Sequence, residues 1–478
     1  MNLQNRLCLD WTKVQDVCPV EAPLAQALPQ LASLKNALRD GTLSHKSTLG
    51  WLQPGDAESV MQMQNMIQLT SQLHYHCNAA VVVGIGGSYL GARAVHEALA
   101  HGYPLGSKSQ GMTLFWAGNG LATDELAELL DALDGYSPCL VAISKTGTTT
   151  EPALALRLLL KYMENRYGKG ETFKRTLFVT DPSQGSFLSL AKTYNCNTFV
   201  FPKDVGGRYS VFTPSGTLPL LLAGHDARSF CEGGKQAAQD LLDPKNNSID
   251  TNPALCYAGI RNALYSNGKY KIESLCVWSG KLRYLSLWWQ QLFGESDGKE
   301  KTGLFPSTQV FSADLHSMGQ YFQEGERLLT ATHLKISDEF SSSKGSIHRK
   351  LHLPLVDWED GMSFVNGKSL DHVQEQAQLA TMLAHADGGV PTAYWEIPQL
   401  TPFWLGYWMY TNLMACAVGA LARGVNPFDQ PGVEAYKQNM FALLQKPGYE
   451  SQAQPLRQRL ERGSRLRSIG FCSQENGR

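Results

Sequence analysis

From residue 79 the chain switches repeatedly between short runs that are mostly apolar and longer stretches that are apolar at every third or fourth position. Runs of the first kind lie at 79–84, 112–116, 139–143, 176–180 and 197–201. They predict strands covered on both faces, since such a strand has no polar side to show. Stretches of the second kind, at about 90–100, 122–133, 151–166, 186–194 and 215–223, predict amphipathic helices. Alternation of this sort builds a parallel, doubly wound sheet whose ligands sit at the carboxyl ends of the strands. A less regular alternation follows, with helices at 254–266, 282–293, 316–323 and 371–386 and strands at 273–278, 308–312, 328–337 and 392–396. The fold class read from this is α/β, with two doubly wound, mainly parallel sheets.

Ahead of the alternation, Leu24 to Leu38 and Asp56 to Leu73 carry a 3.6-residue apolar period, so residues 1–74 read as a helical segment. The two α/β domains are placed at 75–225 and 226–400, and residues 401–478 are left for C-terminal helices and a polar tail. Within that last part, residues 403–422 bear no charge over about the length that crosses a bilayer. The stretch stands alone and holds Thr411 and Asn412 at its centre, which fits a helix buried inside a large α/β protein. A helix is expected near 433–444, and from Gly448 the chain is polar, Arg-rich and poorly periodic.

Composition narrows the setting. A formal net charge of −1 gives no footprint for nucleic acid, and 18% charged residues is ordinary for a soluble globular chain. The ten cysteines are scattered without a C-x-x-C or a Cys/His ligand spacing, which predicts reduced thiols in a cytoplasmic protein and no metal centre. The first ten residues lack the apolar core of a signal peptide.

Two strand exits carry chemistry. After the run ending at Ile143 comes Ser144-Lys-Thr-Gly-Thr-Thr-Thr-Glu151, followed by a helical pattern opened by Pro152. Hydroxyls and backbone N–H groups at a helix N-terminus make an anion seat, and Ser144, Lys145, Thr146 and Thr149 are its candidate residues. After the run ending near Val83 comes Gly84-Ile-Gly-Gly-Ser-Tyr-Leu-Gly91, where glycines such as Gly87 allow close approach of a ligand to the backbone. The turn opens like a dinucleotide fingerprint, but Tyr89 stands at the third glycine position and Asn119 ends the next strand in place of a ribose-binding acid. A phosphate-binding loop of the nucleoside-triphosphate type is missing from the sequence. Further on, Arg208 lies in a glycine-flanked turn, Glu295 lies where the pattern of residues 282–293 stops, His316 follows a strand, and Lys437 sits one turn into a helix. Taken singly, each such residue is more often solvated or structural than functional.

Taken together, five stretches resemble the phosphoglucose isomerase family, in the family's order: Gly84 to Gly91, Ser144 to Glu151, Gly206-Gly-Arg-Tyr-Ser210, Glu295-Ser-Asp-Gly-Lys299, and Phe428-Asp-Gln-Pro-Gly-Val-Glu-Ala-Tyr-Lys437. The last is long and specific. The likeness spans about residues 80–445, and Tyr89 and Gly147 look like the shorter bacterial form. It implies sugar-isomerase-type domains and interconversion of glucose 6-phosphate and fructose 6-phosphate through an enediolate. It further implies Glu295 as proton carrier, Arg208 beside the developing oxyanion, and His316 and Lys437 in ring opening. By the same resemblance Ser88 joins the phosphate seat and Gln430 binds substrate. No cofactor or metal is implied, and the expected assembly is a homodimer in which His316 comes from the partner.

Two other classes fit the sequence less well. A phosphosugar-sensing regulator would need the seat without Glu295, His316 or Lys437, and would carry a basic helix-turn-helix that neither end offers. A glucosamine 6-phosphate-forming amidotransferase needs a cysteine nucleophile at the start of its chain, where residue 2 is Asn.

Overall fold

A computed structural model describes residues 6–43, 46–103, 111–338 and 351–467. The chain divides into two compact units, Met1–Phe428 and Asp429–Arg478. In the first unit the described strands are β1 (Cys8–Asp10), β2 (Ala79–Val83), β3 (Thr113–Ala117), β4 (Pro138–Ile143), β5 (Thr176–Thr180), β6 (Asn197–Val200), β7 (Ile272–Val277), β8 (Phe305–Val310), β9 (Leu329–Asp338) and β10 (Thr392–Gln399). They form two five-stranded sheets, ordered β3-β2-β4-β5-β6 and β1-β10-β9-β7-β8.

The first sheet is parallel throughout. Every residue of β2 and of β4 is buried, as apolar runs between two layers of helices require, whereas the edge strands β3 and β6 are partly exposed and so are not covered on both faces as expected. From β2 the chain goes to β3 on one side, then returns past β2 to place β4 on the other. The winding direction therefore reverses between β2 and β4, which are paired from Ala79 opposite Pro138 to Val83 opposite Ala142. The second sheet repeats this order, with β7 between β8 and β9. Its far edge is β1, antiparallel to β10.

Several elements differ from the sequence expectation. The three-residue β1 is too short for periodicity to reveal. A helix at Ala227–Leu242, a stretch to which the sequence reading gives no element, carries Gly233-Gly234 in its interior. Those glycines are contact points: a Cβ on Gly233 would stand 1.8 Å from the Phe403 carbonyl oxygen, and one on Gly406 would stand 2.1 Å from that of Phe230. The absence of side chains lets this helix touch the backbone of the helix Pro402–Ala422. That helix is the charge-free stretch, buried along most of its length, and Thr411 and Asn412 return hydrogen bonds to the carbonyls of Tyr407 and Trp408 at 2.9 Å. No helix of the described residues is long and apolar enough to cross a membrane. The strand β8 begins earlier than expected because Pro306, which argues against a central strand, is tolerated at a sheet edge.

The second unit contains the helices Glu434–Leu443 and Glu450–Arg467, so the Arg-rich stretch after Gly448 is helical as far as it is described.

Candidate active site

The reversal between β2 and β4 puts two chemically loaded turns side by side. Such a switch point leaves a crevice at the carboxyl ends of the two strands. The exit of β4 enters the crevice as Ser144, which is buried and whose backbone N–H donates to the Val179 carbonyl at 3.1 Å. Its hydroxyl accepts the Gly147 N–H at 3.0 Å, and the Thr146 and Thr148 hydroxyls are 2.8 Å apart. Gly147 has φ +71°, and a Cβ there would stand 2.5 Å from the Phe187 nitrogen, so the loop lies hard against the start of the helix Ser186–Thr193. Thr149 precedes the helix Thr150–Tyr167 and makes no side-chain cap bond. The first N–H groups of an 18-residue helix thus open on the loop without a capping side chain from Thr149, as an anion seat needs. Lys145 donates to the carbonyls of Lys203 at 2.6 Å and Val205 at 3.4 Å. Its partial burial pushes the ammonium pKa down, against the opposing pull of Asp181 and Asp204.

The exit of β2 is a 3-10 turn, Gly86–Ser88, pressed against the segment that follows β6. A Cβ on Gly87 would stand 2.1 Å from the Gly207 carbonyl, and the Ser210 hydroxyl reaches the Gly87 oxygen at 3.4 Å. Arg208, in the 3-10 turn Gly207–Tyr209, is fully buried. Its Nε donates to Ser296 Oγ at 2.7 Å, one terminal nitrogen donates to Glu295 Oε2 at 3.3 Å, and the other donates to the Pro427 carbonyl.

Glu295 lies in the last turn of the helix Arg283–Asp297. The expected turn at Gly294 is therefore corrected: Gly294 stays helical, a Cβ there would stand 3.4 Å from Pro306, and the cap is Gly298. Gln291, one turn earlier, donates to Glu295 Oε1 at 3.1 Å. The same amide nitrogen lies 2.8 Å from the point where a Cβ on Gly86 would be. The Glu295 side chain keeps about a third of its surface open, at 31%. The first glycine turn, Arg208 and Glu295 are thereby brought together. A part-open carboxylate beside a buried, permanently cationic guanidinium can move a proton next to an oxygen that becomes an anion.

His316 ends a 3-10 turn, Ala313–His316, just past the carboxyl end of β8, and its side chain is exposed. Asp314 in that turn accepts the Val310 N–H at 2.6 Å and fixes the turn to the strand. Gln430 and Lys437 belong to the second unit. Gln430 precedes the 3-10 turn Pro431–Val433, and Lys437 pairs with Glu434 at 2.8 Å along its own helix. Gln291 and Ser296 were not singled out from the sequence. The signal for Gln291 was its spacing of four from Glu295, usable only once the helix is known to run to Asp297.

The model of the family described as phosphoglucose isomerase matches residues 70–454. The chain belongs to that family. Curated relatives agree: a glucose-6-phosphate isomerase of Alkaliphilus metalliredigens is 43% identical over 429 residues, covering 89% of this chain and 93% of the relative. One of Heliobacterium modesticaldum is 39% identical and covers 96% and 99% of the two chains. Among solved structures, a hypothetical protein from Thermus thermophilus superposes with a TM-score of 0.81 at 25% identity, covering 92% of this chain and all of the other. A glucose-6-phosphate isomerase from Chlamydia trachomatis, at 18% identity and covering 93% and 89%, shares the fold with a TM-score of 0.74.

Proposed function

We propose that this protein interconverts D-glucose 6-phosphate and D-fructose 6-phosphate reversibly, as an aldose–ketose isomerase of glycolysis and gluconeogenesis. The observation that carries this reading is the Arg208–Glu295 pair, 3.3 Å apart beside a hydroxyl-lined anion seat, in a member of this family. The sugar's phosphate dianion sits on Ser144, Lys145, Thr146 and Thr149, with Ser88 and the Gly87 backbone close by. Glu295 takes the proton from one of the two neighbouring carbons and returns it to the other. Arg208 stabilises the enediolate oxygen. His316 and Lys437 open the ring, and Gln430 contacts the sugar. The direct test is a coupled assay for fructose 6-phosphate formed from glucose 6-phosphate by the purified chain. No turnover from folded protein overturns the reading.

The seat makes its own prediction. Thr149→Ala removes one hydrogen bond to a charged group, worth about 1.5–3 kcal/mol, so KM rises about tenfold or more while kcat changes little. Inorganic phosphate or sulfate competes with substrate. A fall in kcat at constant KM speaks against phosphate binding at Thr149.

The proposal includes a homodimer with shared sites, acting in the cytoplasm. Exposed His316 stands beside Met318 and Tyr321, which are 37% and 39% exposed, while Phe322 of the same segment is in the core. The cysteines of the described residues are all free thiols, in keeping with a reducing compartment. Mixing inactive His316→Ala with inactive Glu295→Gln under subunit exchange gives back activity, approaching about a quarter of wild type by random pairing of symmetric dimers. No recovery after proven exchange means each site is built within one chain. Residues 75–225 and 226–400 are taken as two sugar-isomerase-type domains between a helical segment, 1–74, and a C-terminal part, 401–478. The repeated strand order of the two sheets supports two such domains, with β1 of the N-terminal segment completing the second sheet.

A further inference from the structure

Directly behind Glu295 lies a chain of buried charges that proton transfer itself does not call for. Asp297 is fully buried and binds two guanidiniums: Arg261 at 2.5 Å and Arg423 at 3.0 Å. Arg261, also buried, holds Glu273 of β7 at 2.5 Å with its Nε. Glu273 in turn accepts from the Tyr257 hydroxyl at 2.6 Å and the Thr332 hydroxyl at 2.9 Å. Arg423 also donates to Asn262 at 2.6 Å. The set holds two acids and two bases, so it is neutral as a whole. Taking Arg261, Glu273 and Asp297 out of water, with Arg423 mostly so, is expensive, and such a network is weak evidence for stability alone.

Its placement suggests a use. Residues two apart on an α-helix point about 200° from each other, so Glu295 and Asp297 leave the same turn on opposite sides. Ser296 between them receives Arg208 Nε. A carboxylate at a helix C-terminus faces the unfavourable end of the helix dipole, which the two guanidiniums on Asp297 offset. Arg423 begins the segment that also meets the site: the Asn426 carbonyl accepts from Lys299, and the Pro427 carbonyl accepts from Arg208. Both partners of the Arg208–Glu295 pair are thus tied to one buried network from behind. We infer that Arg261 and Asp297 are positioning residues for Glu295, fixing the last helical turn so that its carboxylate meets the substrate carbons at the required distance. The inference rests on Glu295 being the proton carrier.

The test uses the full-length enzyme with Asp297→Asn, which is nearly isosteric, and Arg261→Lys, which keeps the charge but cannot bridge Glu273 and Asp297 as a planar fork does. Each variant is checked for folding by circular dichroism, then assayed across pH. A displacement near 1 Å at a reacting group costs up to about 100-fold in rate, so the expectation is a fall in kcat of about 10- to 100-fold with KM changed less than about twofold. In Arg261→Met, the lost cation leaves Glu273 and Asp297 uncompensated, and the acid limb of the kcat/KM profile moves to higher pH. Should Arg261→Met not fold, Arg261→Met combined with Glu273→Gln removes one charge of each sign and keeps the rate measurement available. Folded variants of Asp297 and Arg261 with wild-type kcat and an unmoved pH profile overturn the positioning role. Glu295→Gln run alongside separates the two failures: if it still turns over, the proton-carrier reading falls first.

Discussion

Glu295→Gln lowers kcat by on the order of 10²–10⁴-fold, the usual worth of a positioned general base, while substrate still binds. The change is close to isosteric, and the surroundings stay assembled. Arg208 keeps its bonds to Ser296 and Pro427, and Gln291 can still donate to an amide oxygen at position 295. What disappears is a group able to accept a proton and give it back. Steady-state rates measure the loss, and exchange of the substrate's C2 hydrogen with labelled solvent locates it at the proton-transfer step. Exchange and turnover within about tenfold of wild type would move the role to another residue, since a general base is worth more than that. Asp297, the nearest other carboxylate in sequence, cannot take it over, because it is buried between Arg261 and Arg423.

How far the site could be read from sequence depended on which kind of signal each part leaves. The exits of β2 and β4 were legible because a strand buried on both faces is apolar at every position and breaks sharply into glycine and hydroxyl residues. That those two exits are neighbours was not legible. It follows from the strand order, with β4 beside β2 on the side away from β3, and nothing local in the sequence records it. Helix ends were the weakest point, and glycine was the reason. Gly294 looked like a stop and is a place where the helix approaches Pro306, much as Gly233 is a place where two helices touch. The error mattered most at Glu295, which is held by a helix and not by a loose turn. Burial of Arg208 was equally hidden, because partners such as Ser296, Glu295 and Pro427 lie 87 to 219 residues away in sequence.

The second large effect expected is loss of stability in mild acid, carried by four histidines, of which His333 and His385 are buried and His96 and His225 half-buried. Burial pushes His96 down to about 3 and His225 to about 4, with His225 and Arg93 near the first ring and Lys281 near the second adding to the effect. Burial likewise takes His333 to about 3 and His385 to about 4, reinforced by His385 beside the first and Arg327 beside the second. The geometry says why a proton is unwelcome. His96 Nδ1 and His225 Nε2 share one hydrogen bond of 2.9 Å, so one of the two nitrogens must stay unprotonated. Trp278 donates to His333 Nδ1 at 3.2 Å, so a proton on that nitrogen would face an N–H. The unfolded chain takes up these protons as pH falls below the ordinary value of 6.5, and the folded chain does so only near 3 to 4. Stability is therefore complete above pH 6.5 and is lost steadily from there down to the folded-state values. One imidazole costs about 1.4 kcal/mol per pH unit in that window, so four of them remove on the order of 4–8 kcal/mol by about pH 5. That is comparable with the whole stability of an ordinary domain, about 5–15 kcal/mol. Urea unfolding between pH 7.5 and 4.5 reads the effect as a midpoint that falls steeply below about pH 6.5, and His225→Gln or His385→Gln flattens the fall by removing one titrating ring. A midpoint independent of pH across that range would mean that these rings are protonated as easily in the folded chain as in the unfolded one.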